Sequence, residues 1–158
     1  MQVAQGSQTV APNRASVSKG FTLLEVLIAL VIFSFGLLAL AALMAKGLQF
    51  NTSALHRSYA SSQAYDIADR VRANRDGDYA NLSGIGSDQS ASTCLTSGCD
   101  ATAMRDFDRW QWNTTNAAVL PDGSGSVTFV SPIYTVTITW DDDRDGAADD
   151  SFVFEFRP

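Results

Sequence analysis

Between residues 21 and 45 the chain carries a single charge, Glu25, in an otherwise unbroken apolar run. At about 1.5 Å of rise per residue, a helix of that length is about 38 Å long. A bilayer core is about 30 Å thick, so the run spans it with some tilt. Past Lys46 the apolar positions thin to a helical period: Phe50, Ala54, Ala60, Ala64, Ile67, Ala68 and Val71 recur on one predicted face. No proline interrupts residues 21–75. The pattern therefore predicts one helix over 21–75, roughly 80 Å long, with 21–45 as its transmembrane part. Gly36 and Gly47 weaken it by ~1 kcal/mol each relative to alanine.

Asp76-Gly77-Asp78 ends that helix, and residues 77–100, rich in Gly, Ser, Asp and Asn, read as a loop. From Asp100 to about Ala118 a second helix is expected. Its stripe of Met104, Phe107, Trp110 and Trp112 has the spacing of a core face. Leu120-Pro121-Asp122-Gly123 makes a turn, and three strands follow. Residues 126–130 form a short one. Residues 134–140 alternate, with Tyr134, Val136, Ile138 and Trp140 on one face and threonines on the other. Phe152, Phe154 and Phe156 alternate with Val153 and Glu155 in the last. A sheet with one apolar face needs a cover, which the outer half of the long helix supplies. The expected fold class is α+β: a long N-terminal transmembrane helix packed on a small antiparallel sheet of about three strands. The expected divisions are 1–20, 21–75 and a globular part over 76–158.

The 158 residues carry a net charge of −6; Arg14 and Lys19 are the only charges before Phe21, so removing that segment leaves −8. Positive flanks stay on the cytoplasmic side, which places everything after residue 45 outside. The acidic outer part disfavours nucleic acid as a partner. An ordinary secretory signal has an apolar core of about 7–15 residues followed by its cleavage site; here the run is about twice that. Cys94 and Cys99 both fall on the outer side, where an oxidising compartment lets them pair. Four intervening residues with a glycine suffice to close a small ring. The spacing is not that of a redox or zinc pair. No serine or cysteine stands with a usable histidine and no phosphate loop is present, so no enzyme is expected. His56 reads as a surface histidine.

Glu25 is the anomaly. A carboxylate at the bilayer centre costs at least ~2.5 kcal/mol, and less near an interface. Locally, Thr22-x-x-Glu25 fits a capping box, and an acid in the first turn suits the helix dipole.

The loop Asp141-Asp142-Asp143-Arg144-Asp145-Gly146-Ala147-Ala148-Asp149-Asp150 joins the last two strands. Asp141, Asp143, Asp145 and Gly146 match the opening of a calcium loop, and Asp149 falls at its ninth position. The twelfth position is Phe152 rather than glutamate, and no flanking helices are predicted. A solvated acidic turn and a calcium site are both compatible with this pattern; no other cofactor is suggested.

The stretch Lys19-Gly20-Phe21-Thr22-Leu23-Leu24-Glu25-Val26-Leu27-Ile28-Ala29-Leu30 resembles the N-terminal motif of type IV pilin and pseudopilin precursors. The resemblance implies that a prepilin peptidase cuts between Gly20 and Phe21, removing a leader of residues 1–20, and N-methylates the new amine of Phe21. It also implies that Glu25 pairs with the N-terminal amine of a neighbouring subunit in a filament. Arg57-Ser58-Tyr59-Ala60 and Asp69-Arg70-Val71-Arg72-Ala73-Asn74 are similar to the PilV group of minor pilins, the type IV pilus modification proteins. Read without that likeness, Arg70, Arg72 and Arg75 among Asp66, Asp69 and Asp76 form a solvated, mixed-charge helix end. The group implies a minor pilin that primes or caps pilus assembly. Its partners would be other minor pilins, the major pilin, the prepilin peptidase and the inner-membrane assembly platform. It would sit first in the bacterial inner membrane with its C-terminal domain in the periplasm, then in the pilus at its tip. A type II secretion pseudopilin and a tip-exposed adhesion or ligand-binding subunit are the alternatives.

Overall fold

The structure, a computed structural model, describes residues 20–86 and 91–158. Helix α1 runs through Leu23–Ala73, 51 residues, two residues shorter at each end than the sequence pattern suggests. Thr22 caps it: its hydroxyl accepts the Glu25 amide at 3.2 Å, one half of the expected capping box. The chain divides into two compact units, meeting between Met44 and Ala45. Of the first unit, residues 20–44 are described. Every residue from 20 to 52 is exposed, so the apolar run finds no burial among the described residues.

The second unit, Ala45–Pro158, holds the core. Here α1 buries His56, Ala60, Ala64, Ile67, Ala68 and Val71. The alanines keep that face flat enough for close approach by neighbouring elements. Phe50 and Ala54, expected on this face, are exposed; the stripe starts only at His56.

The sheet has four strands rather than about three: β1 Leu82–Ser83, β2 Ser124–Val130, β3 Ile133–Trp140 and β4 Asp150–Phe156. They form an antiparallel meander in the order β1-β2-β3-β4. The added strand, β1, lies in the stretch predicted as loop, and two residues are too few to show a period. The same stretch contains a six-residue helix, α2 Ala91–Thr96. The register places Val136 between Val127 and Phe154, Ile138 between Gly125 and Phe152, and Tyr134 between Phe129 and Phe156. That face is the apolar one predicted from the alternation. The other carries Ser126, Thr137 and Val153 in one row and Thr128, Thr135 and Glu155 in the next.

Helix α3, Ala101–Val119, starts at Asp100, whose carboxylate accepts the Ala103 amide at 2.8 Å as N-cap. Its buried aromatic centre is Trp112, fully enclosed; Phe107 is nearly so, whereas Met104 and Trp110 are only partly covered. The Trp112 indole N–H donates to the Gln63 carbonyl of α1 at 2.9 Å. Its ring lies so close to β2 that a Cβ at Gly125 would collide with Trp112 and Asn116. Glycine at 125 is therefore what lets α3 seat on the sheet.

Candidate functional site

The N-terminal signature is laid out in sequence order. Gly20 is exposed immediately ahead of the helix, and Phe21 is 82 % exposed. Phe21, Glu25, Ala29 and Phe33 recur every fourth residue, so with Val26 and Leu30 they line one apolar stretch of helix surface. Glu25 sits in the first turn, where the helix dipole favours a carboxylate. Among the described residues no donor reaches that carboxylate; the Glu25 amide donates to the Thr22 hydroxyl.

At the arginine-bearing end of α1, Asp69, Arg72, Arg75 and Asp76 are exposed, as the charge pattern suggests, and Arg70 is the exception. Arg70 is largely covered and donates from Nη1 to Asp108 Oδ1 at 3.0 Å and to Gln111 Oε1 at 2.7 Å, and from Nε to Asp66 at 2.9 Å. Asp108 is buried and also accepts the Tyr79 hydroxyl at 2.5 Å. Burial, with that hydrogen bond second, pushes the Tyr79 phenol well above its ordinary range. Asn74 donates to Tyr79 Oη at 3.1 Å and to the Ala101 carbonyl at 2.8 Å. Gly77 fits beneath them, where any side chain would meet Asn74 and Tyr79. The motif is a polar lock between the end of α1 and the start of α3. Arg72 faces the other way, paired with Asp69 at 2.8 Å and lying 5.0 Å above the Phe156 ring.

Cys94 and Cys99 are joined in a disulfide, as their spacing allows. Cys94 lies in α2, not in the plain loop expected, and Cys99 directly precedes the Asp100 cap of α3.

His56 is the clearest departure. It is 7 % exposed, and its Nδ1 lies 2.6 Å from Asp142 Oδ1. The other Asp142 oxygen accepts the Ser53 hydroxyl, and Trp140 Nε1 donates to Oδ1 at 3.3 Å. The Ser53 bond, assisted by His56 and Trp140 against partial desolvation, holds the Asp142 carboxyl below its ordinary value. Arg57 approaches Asp150 at 3.8 Å. Both ends of the acidic loop are thus tied to α1.

Within that loop, the ligand-capable oxygens of Asp141, Asp143 and Asp145 lie within 4.8 Å of one another; Asp149 is not part of the group. The buried Asp141 carboxylate accepts the amides of Asp145 at 3.2 Å and Gly146 at 2.9 Å. The Asp145 amide by itself lowers the Asp143 carboxyl, but the Asp145 charge, desolvation and the charges of Asp141 and Asp149 together raise it above its ordinary value.

An exposed apolar helix with a carboxylate in its first turn, continuing into a helix-backed antiparallel sheet, defines a subunit of the pilin class. Residues 16–41 match the prokaryotic N-terminal methylation motif, and residues 42–110 match the family described as type IV pilin Tt1218. The chain is a membrane-anchored, type IV pilin-like precursor. No curated protein and no solved structure matches it.

Proposed function

We propose that the mature chain, beginning at Phe21, is a minor pilin of the PilV group that helps prime or cap pilus assembly. One observation carries this reading: residues 21–45 expose their whole apolar surface around a single carboxylate, Glu25, which has no partner among the described residues. Lipid covers that surface before assembly, and the helices of sister subunits cover it afterwards. Glu25 meets the methylated amine of a neighbour there. Each charge alone in low dielectric is costly, and together they attract strongly. A type II secretion pseudopilin shares the N-terminal signature; the match of residues 42–110 to a type IV pilin family favours the pilus.

Mild crosslinking in membranes followed by mass spectrometry tests the assignment. Crosslinks to the major pilin and to other minor pilins are expected, and they diminish for Glu25→Ala. Crosslinks confined to secretion pseudopilins would overturn it.

The acidic loop fits a solvated turn on this reading, because its own amides already satisfy Asp141 and Asp145. Thermal melts with calcium and with chelator are expected to coincide. A calcium-dependent rise in Tm would instead make Asp141, Asp143 and Asp145 a metal site.

A further inference from the structure

We propose that the outer edge of β4 is a docking site for an extended segment of a different polypeptide chain, alternating apolar and basic residues. Strand β4 closes the sheet on one side, and among the described residues no strand pairs with its outer edge. The two edges are treated differently. At the opposite side β1 is two residues long, too short to template another chain. Strand β4 offers seven residues in unbroken register with β3, with no proline, lysine or bulge among them. Natural sheets normally shorten or guard such an edge.

The side chains along the edge specify the guest. Toward the core, Phe152, Phe154 and Phe156 alternate. Phe154 packs on Tyr65 of α1 at 4.6 Å between ring centroids, and Tyr65 is still 52 % exposed. Aromatic surface beside the edge is therefore left for apolar side chains of one more strand. On the outward face Val153 is 55 % exposed, and Glu155 has no ion pair among the described residues. The loop leading into β4 adds Asp143, Asp145 and Asp149, all exposed. A guest strand thus meets apolar surface on one side and carboxylates on the other, which calls for lysine or arginine at alternate positions. A second copy of this chain does not supply that guest, because β4 carries Asp150 and Glu155 and no lysine or arginine.

The test uses the full chain in neutral detergent and a labelled seven-residue peptide alternating lysine and valine, read by fluorescence anisotropy. Saturable binding is expected, with slowed hydrogen exchange at β4 amides. A peptide of the same composition with its lysines and valines in blocks should bind much more weakly. Glu155→Lys, an outward-facing change checked for an unaltered melt, should shift preference toward an alternating glutamate–valine peptide by roughly tenfold. The proposal is overturned if the alternating peptide does not bind, or if the block peptide binds as well. It is also overturned if Glu155→Lys leaves the preference unchanged, or if Val153→Cys chains alone form disulfide-linked dimers.

Discussion

Arg70 lies among three acceptors, and removing its guanidinium leaves the buried Asp108 carboxylate facing only a tyrosine hydroxyl. Breaking a buried pair from one side typically costs about 3 kcal/mol or more, since an uncompensated charge remains. Arg70→Ala is therefore expected to lower stability by about that amount in chemical denaturation. Arg72→Ala, which breaks an exposed pair, should cost under about 1 kcal/mol; equal losses would refute the lock. Asp142 gives a pH signature. Its folded-state pKa lies below the ordinary 3.8, so its contribution is fully present above that value and is lost as pH falls through the folded one. The melting temperature of the wild type should thus fall more steeply below about pH 4 than that of Asp142→Asn. Parallel slopes would contradict the tie. Gly20, Phe21 and Glu25 were marked out by a motif spanning six residues. His56 and Arg70 were not: their acids lie 86 and 38 positions away, and no local spacing reveals such a partner.

The long elements carry enough turns or alternations for their period to speak. Helices α1 and α3 and strands β3 and β4 could be read from apolar spacing, with boundaries displaced by a few residues. Strand β1 and helix α2 could not, being two and six residues long, too short to show a period. The alternation of 134–140 also gave the buried face of the sheet, while the seating of α3 waited on the structure. Trp112 was read as one aromatic of a stripe, yet it is the residue enclosed between α1 and Gly125. Gly125→Ala is expected to destabilise by about 1–3 kcal/mol through overpacking, with a change in tryptophan emission. A neutral substitution with unchanged emission would show that α3 does not seat on β2 this closely.

At the scale of the whole molecule, one chain answers to two environments. The second unit encloses a core of α1, α3 and four strands, whereas residues 20–52 bury nothing. A surface of that apolar extent is stable in lipid or among other helices, and the proposed processing would carry it from one to the other. Everything proposed for that surface depends on the processing step. Mass spectrometry of the N-terminal peptide, from protein recovered from membranes and sheared filaments, tests it most directly. A chain beginning at Phe21 with a methylated amine is expected. A chain still beginning at Met1, or beginning at any residue other than Phe21, would contradict it.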